Sequence, residues 1–349
     1  MHSNNSMCHP ATFLHIAYSL SPLHLLLCCM ILLLNSFTIH YYFKQRARNV
    51  PLLFIAINTS DIFTALGHIS LNAAVICMCN LEADNDEDKT AQSVIVLKYG
   101  FLVYLIMGLP GYTFSIFYNL VLNLLRTVNI FKPFYRVEYK HICIVIAVHA
   151  AVISVLEVVD VSGYLKSLDP SQDYLALITT AIIDTLIEIP HMGSFLNYLS
   201  AENVTGYKVF EITSIVSSLI NYQIPVLIVF LCMVVQVWTL RYRNSTYDDE
   251  LKHVSITIIA ISVLFCVCNS MMSIFLIMYV ETNDFSYKLI RRYDMLTTLV
   301  TLSSNTLPLL NALLTPVILI SRSRNLRAHL CETVLNLVDK VKTLVQVSP

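Results

Sequence analysis

Residues 99–125 read YGFLVYLIMGLPGYTFSIFYNLVLNLL, a run of 27 residues without a charged side chain. An α-helix crosses a hydrocarbon core of about 30 Å with roughly 20 residues, so this run is long enough to span a membrane. Six other stretches are similarly apolar, and Asp61 is the one charged residue within them; they cover 1–43, 50–81, 142–156, 212–240, 254–280 and 295–321. The sequence therefore predicts seven membrane spans.

The composition favours the same class of protein. Hydrophobic residues make up 56% of the chain and charged residues only 13%, whereas a soluble domain has roughly 25% charged residues. Backbone amides in lipid must be satisfied within a helix or a closed barrel, and no segment alternates as a barrel strand would. We predict an all-α membrane protein, a seven-transmembrane helix bundle over 1–321 with a cytoplasmic amphipathic helix at 322–349 after the seventh span. The predicted spans are approximately 13–43, 50–79, 95–126, 141–163, 209–240, 253–280 and 295–321.

The distribution of basic residues predicts the orientation. Cytoplasmic loops of membrane proteins carry an excess of Lys and Arg, and 15 of the 22 basic residues fall in the odd-numbered connections and the C-terminal tail. We therefore expect a plasma-membrane protein with an extracellular N-terminus and a cytoplasmic C-terminus. Sequons for N-glycosylation at Asn4 and Asn203 lie on the expected outer side, although tripeptides of this kind are frequent by chance.

Two segments allow a second interpretation. The first apolar run could be a cleaved signal peptide, but it lacks a basic n-region and is longer than a usual h-region of about 7–15 residues. The apolar stretch 174–189 could be an eighth span, yet it contains Asp184 and Glu188, and a charge at a helix centre costs roughly 2.5–3.5 kcal/mol on insertion scales. We interpret 174–189 as part of a long second outer loop, and its contact with the membrane stays open.

The third span ends in a recognisable motif. Residues 123–134 read NLLRTVNIFKPF, in which Pro133 follows Arg126 by seven residues. This spacing resembles the signature of rhodopsin-like G-protein-coupled receptors, in which an Asp-Arg-Tyr triplet closes the third helix; here Leu125 and Thr127 flank the arginine. The resemblance implies that Arg126, Thr127 and Pro133 couple the protein to a heterotrimeric G protein. The alternative is an ordinary arginine that extends its charge to the cytoplasmic surface.

Four polar residues match a second feature of the same family. Asn35, Asp61, Ser115 and Asn311 occupy the positions where the resemblance implies a central sodium and water site. A carboxylate in hydrocarbon must face partners, water or an ion, or else be protonated, and hard cations prefer oxygen ligands. Asp61 is therefore the predicted Na⁺ ligand. The alternative is a hydrogen-bonded packing cluster in which Asp61 is neutral.

Other family positions are matched only in part. Pro225 agrees with the proline of the fifth helix, and Pro316 is what remains of the Asn-Pro-x-x-Tyr motif of the seventh; both are predicted helix hinges. The sixth helix has Asn269 where the family has tryptophan. This pattern is most similar to the divergent nematode serpentine chemoreceptor and peptide-receptor families.

The cysteines and the tail give further expectations. No cysteine lies between Cys143 and Cys232, so the usual disulfide of the family is absent; Cys8 could pair with Cys77 or Cys79, or all could be free thiols. Apolar residues recur every three or four positions from residue 326, which predicts an amphipathic helix on the inner leaflet, or one that packs against a partner. Cys331 within this helix is a candidate for palmitoylation.

No motif in the chain indicates catalysis. There is no Gly-rich phosphate loop, no His-x-x-x-His pair and no Gly-x-Ser-x-Gly turn, so we expect no enzyme, no cofactor and no nucleic-acid partner. The predicted function is a receptor that binds an extracellular chemosensory molecule or neuropeptide and activates a heterotrimeric G protein. The alternatives are a secondary transporter and a ligand-gated seven-helix channel with the opposite orientation. Acidic residues at 82–88 would attract a cationic ligand, whereas an apolar odorant needs only a pocket between helices.

Overall fold

The computed structural model describes residues 10–44, 49–82, 87–131, 138, 140–151, 223–242, 249–281 and 294–347. Within these ranges the regular structure is entirely helical and includes no strand. The helices are α1 (Pro10–Phe43), α2 (Asn49–Glu82), α3 (Glu87–Val103), a π-helical turn (Tyr104–Gly108), α4 (Leu109–Phe131), α5 (Lys140–Ala151), α6 (Ile224–Tyr242), α7 (Asp249–Glu281), α8 (Asp294–Arg322) and α9 (Arg324–Val347). The all-α part of the prediction is confirmed.

Five helical segments are long and apolar enough to cross a membrane. They are Tyr18–Phe43, Val50–Cys77, Ile95–Phe131, Ile224–Tyr242 and Lys252–Ser270, which fall in the first, second, third, fifth and sixth predicted spans. Because a helix satisfies its own backbone amides, these segments need no partner strand in hydrocarbon. The chain is a helical, multi-pass membrane protein.

The remaining two predicted spans are described less completely. Helix α8 covers the seventh predicted span to within one residue at each end, and it is followed by α9 after a bend of 102°. The two together could count as a sixth span by length and composition. Helix α5 begins the fourth predicted span, whose residues 152–163 lie outside the described part of the chain, as does 174–189. The total of seven spans therefore stays a prediction.

The third span differs from the uninterrupted helix 95–126 that the sequence predicts. It continues to Phe131, and a π-helical turn separates α3 from α4. In this turn the Leu109 N–H donates to the Tyr104 carbonyl, five residues back. Pro110 follows directly and has no N–H to continue the regular α-helical pattern, which explains why the turn widens here.

Glycines allow the second and third spans to pack closely. A Cβ added to Gly67 on α2 would lie 2.4 Å from Gly108 Cα, and one added to Gly111 would lie 2.6 Å from the Thr64 nitrogen. Either distance is too short for any side chain. Membrane helices associate through such small residues because lipid supplies no hydrophobic force between them. This close approach fixes α4 against α2, where Asp61 lies.

The helices bury polar groups and expose apolar ones. Helix α1 buries Asn35 and Thr38 completely, whereas 72% of Leu33 is exposed. Helix α6 likewise buries Gln236, and 58% of Trp238 on the same helix is exposed. Such a distribution is the reverse of a soluble protein and fits a surface that faces acyl chains. The functional candidates therefore lie on the inner faces of the bundle.

Candidate functional site

Asp61 and Ser115 meet at the contact between α2 and α4. The Ser115 hydroxyl donates to Asp61 Oδ1 over 2.7 Å, and both side chains are buried. The second carboxyl oxygen, Asp61 Oδ2, has no hydrogen-bond partner among the described residues. Since an unpaired buried acceptor costs about 1–3 kcal/mol, this oxygen marks a position where a further donor or a cation would be favourable.

Asn35 connects α1 to α8. Its Nδ2 donates to the carbonyl of Ile31 on its own helix at 2.9 Å and to the carbonyl of Ala312 at 3.1 Å. Ala312 lies four residues before Pro316, whose ring nitrogen cannot donate to it. Asn35 therefore satisfies a carbonyl that the proline leaves free. The sequence analysis selected Asn35 and Pro316 separately, and it did not predict that both affect the Ala312 carbonyl.

The hydrogen bonds described do not join the four predicted residues into one group. Ser115 bonds to Asp61, and Asn35 bonds to Ala312 beside Asn311; none of the hydrogen bonds described joins one pair to the other. The side-chain oxygens of Asn35 and Asn311 are buried and have no partner within the described structure. The site accordingly has more acceptors than donors.

Two further asparagines, which the sequence analysis missed, add to this excess. Asn58 and Asn119 donate to carbonyls of their own helices, Phe54 at 2.5 Å and Ser115 at 2.9 Å, and their buried Oδ1 atoms have no partner in the described ranges. Asn58 lies three residues before Asp61, and Asn119 lies four after Ser115. This helical spacing places them on the same faces and could have identified them. We call these six residues the central cluster: Asn35, Asn58, Asp61, Ser115, Asn119 and Asn311.

The chemistry of the central cluster fits a hard cation. Five buried oxygens, one of them from a carboxylate, have no partner in the described ranges, and oxygens are the ligand type that small hard ions prefer. No group of three His, Cys, Asp or Glu residues comes together in the part of the chain described, so a transition-metal site is not indicated there. If Na⁺ binds, Asp61 would supply the negative charge and the amide oxygens would complete the coordination.

Arg126 lies inside the bundle at the end of α4, and only 7% of it is exposed. Its Nε donates to the hydroxyl of Ser255 on α7 over 3.0 Å, and its Nη2 donates to the same hydroxyl. The side chain therefore bridges α4 and α7 and does not extend outward to the surface. Ser255 was not a predicted site residue, and it is one of several polar residues in the uncharged run 254–280.

A second set of contacts extends this bridge to α6. Gln236 Nε2 donates to Thr127 Oγ1 at 3.1 Å and approaches Asn123 Oδ1 at 3.4 Å, while the Ser262 hydroxyl of α7 donates to Asn123 Oδ1 at 2.7 Å. Thr127 also donates to the carbonyl of Asn123 over 2.8 Å. Three helices are thus held together at one end by side-chain hydrogen bonds. We call these six residues the inner network: Asn123, Arg126, Thr127, Gln236, Ser255 and Ser262.

One more polar contact joins α4 to α7 on the other side of the central cluster. The Tyr112 hydroxyl donates to Asn269 Oδ1, beside a cluster of buried apolar residues that includes Phe265 and Val229. Asn269 stands where the resemblance expects tryptophan. A hydrogen bond therefore connects the two helices where that family would place a large ring.

The two predicted hinge prolines are both buried. Pro316 lies within α8, as does Pro308, whereas Pro225 is the second residue of α6. Residues 209–222, which the sequence places in the same span as Pro225, are outside the described ranges, so its role as an internal hinge stays a prediction.

The predicted modification sites and the cysteines near the outer side are described only in part. Asn4, Asn203, Pro133 and Cys8 lie outside the described residues. Cys77 and Cys331 are exposed free thiols. Glycosylation, palmitoylation and any pairing of Cys8 therefore stay predictions.

The chain matches no family model and no curated protein. The likeness to rhodopsin-like receptors consequently depends on the residues quoted above and stays a prediction.

Proposed function

We propose that this protein is a plasma-membrane receptor that binds an extracellular ligand and activates a heterotrimeric G protein. The observation that supports the proposal is the position of Arg126, buried at the end of α4 and bonded to Ser255 on α7. A guanidinium carries five donors in a planar fork and suits the carbonyls at the C-terminus of a partner helix. In the arrangement described, which we call closed, the Ser255 hydroxyl accepts from two of the nitrogens of that fork.

The inner network acts as the closed state of a two-state switch. A hydrogen bond contributes about 0.5–1.5 kcal/mol net, and one to a charged group about 1.5–3 kcal/mol. A few such bonds hold α4, α6 and α7 together, yet a ligand whose affinity differs between the two states by several kcal/mol can overcome them. Separation of α7 from α4 then exposes Arg126 to a G protein on the cytoplasmic side.

The Tyr112–Asn269 contact transmits the effect of the ligand toward this end. It joins the same two helices, α4 and α7, that Arg126 and Ser255 join. A ligand that entered from the outer side and displaced Asn269 would therefore change the relation of both helices along their length. Pro225 and Pro316 would act as the hinges, because a proline removes a backbone hydrogen bond.

The central cluster would stabilise one of the two states. A Na⁺ ion bound by Asp61 and the asparagine oxygens would hold α1, α2, α4 and α8 in the arrangement described, by neutralising the buried carboxylate. The residues themselves provide the oxygens and position them through bonds to their own helix carbonyls, such as Asn119 Nδ2 to Ser115.

Helix α9 would lie on the inner leaflet as an amphipathic helix. It turns 102° from α8, and Ser323 caps its start by accepting from the Leu326 N–H at 3.3 Å. His329 stacks on Phe37 of α1 with 5.5 Å between ring centroids, which holds α9 beside the bundle. Apolar residues of α9 at 334, 335 and 338 are exposed, as a leaflet contact requires. An acyl chain on Cys331 would strengthen that contact.

A substitution that frees Arg126 from Ser255 should activate the receptor without ligand, so it tests the proposal although the ligand is unknown. The Ser255→Ala substitution removes the acceptor that α7 offers to Arg126 through this side chain, so the ratio of open to closed receptor should rise by about 10- to 150-fold, the equivalent of about 1.5–3 kcal/mol. Live-cell sensors of G-protein dissociation, one for each class, should report higher basal signalling. Thr257→Ala is the matched control, because the hydroxyl of Thr257 bonds to the His253 carbonyl of its own helix.

The double variant Ser255→Ala with Arg126→Ala identifies the residue responsible. Its signalling should return to background at equal surface expression, and Arg126→Lys should restore little, because a compact ammonium lacks the planar fork. Signalling that persists without Arg126, or that never appears for any G-protein class, would contradict the proposal. A change in substrate flux would indicate a transporter instead. An N-terminal epitope that antibodies reach only after permeabilisation would favour the channel.

A further inference from the structure

A further set of buried polar side chains lies where α1, α2 and α8 meet, in the half of the bundle that the proposed orientation places outside. His24 on α1 is 5% exposed; its Nδ1 lies 3.3 Å from Asn72 Oδ1 on α2, and its Nε2 lies 3.0 Å from Thr306 Oγ1 on α8. His68, one turn from Asn72 on α2, is also buried. We call these four residues the outer histidine cluster: His24, His68, Asn72 and Thr306.

The outer histidine cluster lies near the extracellular surface. His24 is six residues from Tyr18, where the apolar part of α1 begins, or about 9 Å at 1.5 Å per residue. Asn72 is five residues from Cys77, where the apolar part of α2 ends, or about 8 Å. The cluster is therefore within two helical turns of extracellular water, and the function proposed above makes no use of it.

Apolar side chains close the cluster on its inner side. Cys28, Ala65 and Leu309, each one turn further inward on α1, α2 and α8, belong to one apolar cluster and are completely buried. The His24 ring therefore lies between a hydrogen-bonded layer and an apolar one. A charge in such surroundings is costly unless an opposite charge compensates it.

The hydrogen bonds show which nitrogen of His24 carries a proton. Asn72 Nδ2 donates to the His68 carbonyl at 2.7 Å, so Asn72 presents its Oδ1 to His24. An amide oxygen only accepts, and His24 Nδ1 is therefore the donor. In a neutral imidazole the second nitrogen is an acceptor, so Nε2 accepts from the Thr306 hydroxyl. The arrangement fits a neutral ring, and Nε2 is the atom to which a further proton adds.

A proton on Nε2 opposes this arrangement. Nε2 then becomes a donor, and the Thr306 hydroxyl must turn its own proton away from the ring. Both partners of the ring are neutral oxygens, so the new positive charge gains no ion pair from them. Protonation therefore favours an arrangement in which His24 is hydrated and α1 has moved away from α2 and α8.

The surrounding helices supply no carboxylate close to His24. In the described segments 18–35, 58–77, 95–108 and 306–320, the titratable side chains are Tyr18, Cys28, Cys29, Asp61, Cys77, Lys98, Tyr99, Tyr104 and the two histidines. Asp61 is the one carboxylate in these segments, and it lies seven residues inward from His68, or about 10 Å. His68 stacks edge-on against Tyr104 with 5.1 Å between ring centroids, and a charge on His68 would repel one on His24.

We propose that His24 binds an extracellular proton and that acid thereby releases α1 from α2 and α8. The step is reversible: a proton from water adds to the Nε2 lone pair, and no other covalent bond changes. An imidazole in water gains its charge at about pH 6.5, within the range of extracellular acidification. The arrangement described is the closed one, so acid should also favour the open receptor. That effect on signalling rests on the proposed function, whereas the loss of stability does not.

Thermal unfolding at two pH values tests the proton site. The full chain in phosphatidylcholine nanodiscs is compared at about pH 7.5 and about pH 5.5 with His24→Gln, because glutamine can donate to Asn72 and accept from Thr306 but cannot gain a proton. On acidification the unfolding equilibrium constant of the wild type should rise about tenfold more than that of His24→Gln. His253→Gln removes an exposed histidine of α7 and should respond as the wild type does. Equal responses of the wild type and His24→Gln would overturn the proposal.

A second variant keeps the histidine and supplies the missing charge, so the test remains if His24→Gln does not fold. Asn72→Asp places a carboxylate oxygen where Asn72 Oδ1 lies, next to His24 Nδ1. The folded pair then holds one proton throughout this pH range, and acid should no longer destabilise the protein. An acid response as large as that of the wild type would overturn the assignment to His24.

Measurements in cells separate the proton site from G-protein coupling. External acid should raise basal G-protein dissociation by up to about tenfold in the wild type and not in His24→Gln, whereas a weak acid that acidifies only the cytoplasm should have no effect. A response to cytoplasmic acid alone would overturn the proposal. If stability depends on His24 but neither acid nor Ser255→Ala changes signalling, the receptor function fails and the proton site stands. If Ser255→Ala signals but the wild type and His24→Gln unfold alike at both pH values, the reverse holds.

Discussion

The central cluster and the inner network occupy successive turns of α4, yet they differ in how their hydrogen-bonding groups are matched. In the central cluster, five buried oxygens on α1, α2, α4 and α8 have no partner among the described residues. In the inner network, Gln236 Oε1 is the one buried atom without a partner, and donors meet acceptors across three helices. An excess of acceptors suits a cation, whereas matched donors and acceptors suit a latch that can open and close.

The difference teaches that polarity inside a membrane bundle serves more than one purpose. Asn123 and Asn119 are four residues apart on one helix, and each donates to a carbonyl of that helix. The Asn123 oxygen also accepts from Ser262 on α7, while the Asn119 oxygen has no such neighbour. The same residue type therefore belongs to a latch in one turn and to a candidate ion site in the next.

The largest expected effect is a loss of stability on substitution of Asn35, the member of the central cluster whose amide bonds to another helix. Asn35→Ala should lower the free energy of unfolding by about 1–3 kcal/mol, because the Ala312 carbonyl loses its donor while Pro316 cannot replace it. Thermal unfolding of the purified protein measures this. Asn58→Ala is the control, since its amide donates within its own helix.

A second substitution shows whether the proline is the reason. Pro316→Ala restores an N–H in α8, so it should reduce the cost of Asn35→Ala in a double-mutant cycle. Equal costs for Asn35→Ala and Asn58→Ala, or costs that simply add in the double variant, would show that Asn35 does not compensate for Pro316.

A smaller effect concerns Asp61 and sodium. If the central cluster binds Na⁺, NaCl should raise the thermal stability above that in choline chloride, by about 1.4 kcal/mol at ten times the dissociation constant. Asp61→Asn should abolish this difference, and Thr257→Ala, whose hydroxyl bonds within its own helix, should preserve it. A sodium response that Asp61→Asn leaves intact would place the ion elsewhere, and identical stability in both salts would leave the cluster a packing role only.

The smallest expected effect concerns the latch. Gln236→Leu removes the bonds from α6 to α4 and should shift the open-to-closed ratio by about 0.5–1.5 kcal/mol, or about 2- to 13-fold. Basal G-protein dissociation should rise accordingly. Val237→Leu changes the neighbouring residue on the exposed side and should have no effect. Unchanged basal signalling in Gln236→Leu would show that α6 is not part of the latch.

The sequence predicted the all-α class and the presence of several long apolar helices, which the structure confirms. The helix Asp294–Arg322 covers the seventh predicted span, 295–321, and the long apolar helices overlap five other predicted spans. It did not predict the π-helical turn at Tyr104–Gly108, although Pro110, which follows the turn and lacks an N–H, is visible in the sequence. It also placed Asn35, Asp61, Ser115 and Asn311 in one site, whereas among the hydrogen bonds described only that from Ser115 to Asp61 joins two of the four.

The amino-acid sequence by itself determined that this chain forms long apolar helices in a membrane, because hydropathy accumulates along a segment and needs no knowledge of neighbours. Only the tertiary structure decided which polar groups meet. Ser255 and Arg126 are 129 residues apart, and their contact depends on the rotation and approach of α4 and α7. The rotation of a helix is set by packing, as at Gly67 and Gly108, and one residue of rotation turns a side chain by about 100°.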